Sequence, residues 1–441
     1  MNAQLASNQS SSLLSTISSS QNVMSNPYVY NQSANVNVFT STQTVKVQSS
    51  SGAPTANSTI NFDLPKMGLL GKTILAVPFY SLAVGATNSL KLVPNWALNA
   101  INSVELSSQG RVISRLDRSA IMARIGERPR QIKEPFSYAM ALNSASQEVK
   151  DVFPVGGVGD IKWVWLNLDF AYNGDTQYAL DTLFLQNCRV SVSFGDLASL
   201  MVASTSINTL QYQAPYLYCE YKNQAQTDSD ALVSANYSSG LLSTILPTMV
   251  SEAIQYTDLK AFVAGEGATQ PVNTLTCQMK ETSCVEGIFV MAMIDPQDAD
   301  ATASPENIGV PLHIDGDITF SSNGQNWTQV PADMLGYFSH QENESGRNAF
   351  GSSTRVKPDS DAVAGALQYV YYVPFANGGL MSSRVSNLLS LRELSNPSIS
   401  CDITTTSAIG GKRCGLRIVY PTRQLATTVS SSGAYTIALS N

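Results

Sequence analysis

The chain has 441 residues, 43% of them hydrophobic and only 13% charged, with a net charge of −7. That length fits two large domains or three small ones and leaves ample apolar material for their cores. The acidic balance excludes a direct nucleic-acid binder, which would present a basic patch or stripe to phosphates. The densest basic stretch, residues 115–133, is interrupted by Asp117 and Glu127. With charge at about half its usual ~25%, the polar surface must be built from Ser, Thr, Asn and Gln. Such a surface suits a protein that lives in contact with copies of itself.

Residues 1–50 form the first unit, an N-terminal Ser-rich arm. Eight of its first twenty residues are Ser, and the first charge along the chain is Lys46. It cannot bury enough surface to offset its own ordering entropy. It is either a disordered tail or an arm ordered by neighbouring subunits, and its lack of charge favours the arm. The start has neither the basic nor the long apolar region of a secretory signal. No apolar run approaches the ~20 residues of a membrane span. Synthesis and use on the cytosolic side are therefore expected.

From residue 59 the pattern is strand after strand. Residues 59–64 alternate, with Ile60, Phe62 and Leu64 on one face. Strands are predicted at 73–79, 103–106, 160–170, 185–194 and 216–221, and again at 257–263, 287–294, 317–320, 369–374, 399–404 and 416–420. Asn173-Gly174, Asn323-Gly324 and Asn377-Gly378 are turn signals between runs. Helices are few. Asp117 is placed to cap one over 118–125, with Ile121, Met122 and Ile125 on one face, and residues 241–254 could hold another, broken at Pro247. Many short strands with little helix argue for sandwiches or barrels.

The polar stretch 223–240 reads as a connection. The expected units are residues 51–222, a linker over 223–245, and residues 246–441. An internal echo supports duplication: residues 104–110 (VELSSQG) overlie 318–324 (ITFSSNG) at an offset of 214. At the same offset Ile74 falls on Ile288.

Catalytic signatures are missing. Only two histidines occur, His313 and His340, and the six cysteines (Cys188, Cys219, Cys277, Cys284, Cys401, Cys414) contain no CxxC pair. Buried thiols are expected rather than a disulfide scaffold. Gly410-Gly411-Lys412 is followed by Arg413, which breaks the phosphate-loop pattern. Gly156-Gly157-Val158-Gly159 precedes a strand, not a helix. The acidic loop with Asp295, Asp298, Asp300 and Glu306 lacks EF-hand spacing. The six Asn-x-Ser/Thr sequons reflect composition. No catalytic, cofactor-binding or metal-ligating residue is assigned, and no cofactor is expected.

Several stretches, taken in order, resemble a known family. They are residues 62–70 (FDLPKMGLL), 96–117 (WALNAINSVELSSQGRVISRLD), 215–221 (PYLYCEY), 285–291 (VEGIFVM), 318–327 (ITFSSNGQNW), 334–338, 372–376 (YVPFA), 381–388 (MSSRVSNL), 416–420 and 433–441. The chain is similar to the double jelly-roll major capsid proteins of nucleocytoplasmic large DNA viruses, virophages and polinton-like viruses. It departs from them at 377–380, where NGGL replaces the usual acidic, Pro-rich segment.

The resemblance implies an all-β fold of two tandem eight-stranded antiparallel jelly rolls with short helices and long loops. It implies homotrimeric, pseudo-hexameric capsomers tiling an icosahedral shell, in a virion assembled inside the host cell, with no enzymatic activity. Partners would be the chain itself, penton and minor capsid proteins, and an internal membrane reached through the arm. Loops 84–95, 295–311 and 341–364 would face outward, and removing residues 2–45 would spare the trimer but impair the shell. The rival reading is a tandem β-sandwich carbohydrate-binding protein or adhesin, with Trp96, Trp163, Trp165 and Trp327 as candidate sugar platforms. Trp163 and Trp165 share one strand face, which is expected to point into a core.

Overall fold

The computed structural model describes residues 39–82, 91–127 apart from 94, 147–148, 161–168, 182, 185, 187–202, 209–224, 241–295, 311–335 apart from 333, 369–375, 388–431 apart from 408, and 434–440. The first half contains strands β1 (Phe39–Gln48), β2 (Thr59–Asp63), β3 (Leu69–Leu82), β4 (Ile101–Ser108), β5 (Arg111–Asp117), β6 (Ile161–Asn167), β7 (Arg189–Phe194) and β8 (Tyr216–Gln224). The second contains β9 (Leu241–Ser251), β10 (Val272–Gln278), β11 (Gly287–Ile294), β12 (Asp317–Ser322), β13 (Gln325–Pro331), β14 (Tyr371–Pro374), β15 (Ser398–Thr404) and β16 (Arg413–Ser431). A further strand, β17 (Ala434–Ser440), folds back on the end of β16. Two helices matter here, α1 (Trp96–Asn99) and α2 (Arg118–Glu127).

The pairing gives both halves one plan. In the first, the sheets run β1-β8-β3-β6 and β2-β7-β4-β5; in the second, β9-β16-β11-β14 and β10-β15-β12-β13. Each strand of the first half therefore has a counterpart eight strands later in the same sheet position. All of these pairs are antiparallel, and two four-stranded sheets face to face with this order are a jelly roll. The fold class expected from the sequence is the one observed.

The period-2 patterns explain which side of each sheet is dry. In β7, Val190, Val192 and Phe194 are buried while Arg189 is exposed. In β10, Asn273, Leu275 and Cys277 are buried and their neighbours exposed. In β15, Ile399, Cys401 and Ile403 point inward. These sheets have polar outer faces rich in Ser and Thr.

The seven-residue echo marks equivalent hairpins. β4–β5 and β12–β13 each turn on two residues of positive φ, Gln109 (51°) with Gly110 (76°) and Asn323 (53°) with Gly324 (74°), the signature of a type I′ turn. The pairing slips at the same place in both, between Leu106 and Ser107 and between Phe320 and Ser321. The isoleucine match is different. Ile74 lies in β3 and Ile288 in β11, but Ile288 points into its roll's core, whereas in β3 the inward residues are Leu75, Val77 and Phe79. An odd slip in register reverses the face, so these two residues are not equivalent.

Four expectations need correction. Residues 39–48 are not part of a separate arm: β1 pairs along its length with β8, so the first roll begins before residue 51. Its last turn, Thr44-Val45-Lys46-Val47-Gln48, already alternates, a signal diluted by averaging over fifty Ser-rich residues. Residues 241–254 are not helical. The run is rich in β-branched residues, and its pairing with β16 from Leu241 to Ser251 overrides helical spacing. Pro247 is tolerated because β9 is an edge strand. The second roll thus begins inside the expected linker. Finally, the strand expected over 257–263 is instead the short Tyr256–Asp258. Beyond it the Val263 backbone bonds the Gln270 side chain instead of a neighbouring strand.

Most of the three candidate outer loops, together with Gly156–Gly159, Asn173-Gly174 and Asn377-Gly378, fall outside the described residues.

Candidate assembly surfaces

The first surface joins the two rolls. Asp117 caps α2 as expected, accepting a hydrogen bond from the Ala120 amide at 2.7 Å. The same carboxylate oxygen accepts from the Ser251 hydroxyl of β9, in the second roll, at 2.8 Å. Arg118 donates from Nη2 to Asn102 Oδ1 at 3.2 Å. Burial, then the like charge of Arg417 in the second roll, pull its pKa below the usual guanidinium range, and Asp117 opposes them. Arg417 itself donates to the Glu252 carbonyl at 3.1 Å.

Apolar packing follows the same line. In β11 the residues alternate between two clusters. Ile288, Val290, Ala292 and Ile294 belong to the second roll's own core. Phe289 and Met291 belong instead to a cluster continuous with the first roll, which also holds Met249, Tyr372 and Val419 and the α2 residues Ile121 and Met122. Every β11 residue but Met293 is consequently buried. The outer face of the second roll's β9-β16-β11-β14 sheet is thus covered by the first roll, with α2 lying against β9 and β16.

The second surface is the corresponding face of the first roll. Trp163 and Trp165 of β6 are each 38% exposed, and Ile161 is exposed beside them. The expectation that the two tryptophans face a core is therefore wrong: strand alternation gives the core Val164 and Leu166 instead. Their rings lie 6.0 Å apart at 27°. Trp163 is 6.1 Å from the Tyr216 ring and Trp165 is 5.6 Å from that of Tyr218, both on β8. The two strands flank β3, where Trp165 and Tyr216 are both in register with Ala76. Small Ala76 leaves room for the rings to meet above it and is itself fully covered. Lys46 Nζ sits 3.5 Å from the centre of the Tyr216 ring, a cation–π contact.

The other candidates separate on inspection. Trp96 is fully buried and meets Phe79 edge-on at 4.9 Å. Trp327 is exposed on β13, away from the aromatic stack. Asp295 is buried and accepts from Arg413 Nη1 at 2.9 Å. It is a structural anion, while Asp298, Asp300 and Glu306 lie outside the described residues. His313 bonds Asp315 at 3.0 Å; His340 is not described. Gly411, with φ at 75°, forms a tight turn before β16. Among the described residues no group of three His, Cys, Asp or Glu side chains could hold a metal ion, and no helix is long and apolar enough to cross a membrane.

Five cysteines are buried and Cys284 is exposed, with no disulfide among them. Burial pushes the Cys219 and Cys414 thiols up to about 12 and Cys277 to about 11, and raises Cys401 as well. The thiolate is the reactive form. One thiol per chain is therefore expected to react quickly with an aromatic disulfide reagent at neutral pH, and all six after denaturation. Two or more fast thiols in the native protein would contradict the burial described.

Two tandem rolls of identical strand order, locked through one shared cluster, define a double jelly-roll protein. Among solved structures the chain is similar to VP54 of PBCV-1, as fitted into a cryo-EM reconstruction of the virophage Sputnik, with a TM-score of 0.60 at 12% identity over 94% of this chain and 99% of that one. It is also similar to the Faustovirus major capsid protein, with a TM-score of 0.59 at 9% identity over 98% and 99% of the two chains. The mavirus major capsid protein gives 0.56 at 11% identity over 93% of each. No protein-family model matches the chain, and no curated protein does.

Proposed function

We propose that this chain is a viral major capsid protein whose homotrimers form pseudo-hexameric capsomers tiling an icosahedral shell. One observation carries the reading: two rolls of the same topology pack against each other in one chain, so three copies supply six similar lobes around a threefold axis. The near-complete mutual coverage with capsid proteins supports it. The role is structural, not catalytic, and its place is the virion. Partners beyond the chain itself are penton and minor capsid proteins, with residues 1–38 as the segment reaching them or an internal membrane. Because β1 belongs to the first roll, a truncation testing that segment should stop before Phe39.

The test is the solution mass by light scattering, with electron micrographs of the same peak. A mass near three times 47.3 kDa and pseudo-hexagonal particles are expected; a stable monomer would overturn the reading. A second reading, a tandem β-sandwich carbohydrate-binding protein, is favoured by the exposed Trp163–Trp165 stack alone. A glycan array on the monomer would decide it.

A further inference from the structure

The two rolls differ in how their equivalent sheets are covered. In the second, the outer face of β9-β16-β11-β14 is sealed by α2, the helix that follows the β4–β5 hairpin of the first roll. In the first, the same face of β1-β8-β3-β6 is open and carries the aromatic stack. The element that would seal it is present elsewhere in the chain. After the β12–β13 hairpin, Ala332, Met334 and Leu335 are helical. Ala332 stands 214 residues after Arg118, the first residue of α2, which is the offset of the duplicated hairpins. Leu335 is buried, as Ile121 is at the matching position, but Met334 is 42% exposed.

We infer that the Trp163–Trp165–Tyr216–Tyr218 face of one copy is covered by the helical residues Ala332, Met334 and Leu335 of a second copy. The inference rests on the capsomer reading and names the contact that builds it. It extends an interface the chain already makes internally. The roll-to-roll step that sets α2 on the second roll, applied once more, sets the second roll's helix on the next first roll. With only two rolls per chain, that next roll belongs to another molecule. The contact is head-to-tail, so repetition closes a ring when the rotation allows. The chemistry agrees: exposed Trp and Tyr are the side chains that anchor protein interfaces, and methionine adapts to aromatic surfaces. On the other sheets Trp327 of β13 is exposed, but its ring meets the buried Phe320 and not a second exposed aromatic.

Two measurements on the full chain test it. The first compares wild type with Trp163→Ser/Trp165→Ser by sedimentation and light scattering. The concentration at which the trimer dissociates is expected to rise at least ~100-fold, with far-UV circular dichroism unchanged. The second keeps both tryptophans and places the photocrosslinker p-benzoylphenylalanine at Met334, in a mixture of ¹⁴N- and ¹⁵N-labelled chains. Mixed-isotope crosslinks onto Ile161–Asn167 or Tyr216–Gln224 are expected, and they decide the question even if the double variant misfolds. A wild-type trimer whose variant stays trimeric, with crosslinks elsewhere, overturns this contact and leaves the capsomer standing. A wild type monomeric at every concentration, including one that binds glycans through the stack, overturns both.

Discussion

Replacing Phe289 by alanine is expected to destabilise the protein by about 3–5 kcal/mol, the range for deleting a fully buried aromatic side chain. Phe289 has no exposed surface and meets the Tyr372 ring at 4.7 Å. Its position makes the form of the loss informative. It lies in the cluster that runs from the first roll's core onto the outer face of β11, so the cavity opens between the rolls. Calorimetry should show the wild type unfolding in one transition, because neither roll can leave without uncovering the other. The variant should show two, as the second roll loses its cover. A single transition shifted by less than ~1 kcal/mol would mean that the rolls are coupled through something other than this cluster.

Introducing one methyl group at Gly287 should also be damaging, by a smaller amount and for the opposite reason. A Cβ there would stand 2.6 Å from Cε2, Cζ and Oη of Tyr372, closer than real carbon contacts allow. Any shift of that ring disturbs the inter-roll cluster to which it belongs. Overpacking of this kind costs about 1–3 kcal/mol. Gly287→Ala should therefore lower the urea midpoint, and Gly287→Ala/Tyr372→Val should recover part of the loss, a coupling that independent sites would not show. Equal, additive losses in the double variant would place the damage in the backbone instead.

The strands that were legible in the sequence are those whose burial is decided within the strand. β2, β7, β11 and β15 carry either clean alternation or an unbroken apolar run, and the hairpin echo located the duplication. What stayed illegible depends on partners distant in the chain. β9 carries an ambiguous apolar run that its pairing with β16 resolves. Trp163 and Trp165 obey alternation as expected, but alternation cannot say which face of a strand is the inside; the smaller Val164 and Leu166 hold the core because their side of β6 shares a cluster with the apolar residues of the β2-β7-β4-β5 sheet. The aromatic surface was missed for this reason. The available signal was Tyr216 and Tyr218, which repeat the spacing on β8 and face the same way.

Each roll's first strand pairs with its last: β1 with β8, and β9 with β16. This pairing has a consequence in time. Long-range pairs form slowly because the chain between them must first be ordered. On the ribosome, β1 waits with an unpaired edge until Tyr216–Gln224 has emerged, and the first roll closes while the second is still being made. The second waits in turn for Arg413–Ser431, near the end of the chain. During that interval the cover that α2 will provide has no sheet to sit on. The nascent protein is expected to be most prone to wrong association in that window, so ribosome-bound chains ending between Gln224 and Arg413 should be the ones that recruit chaperones.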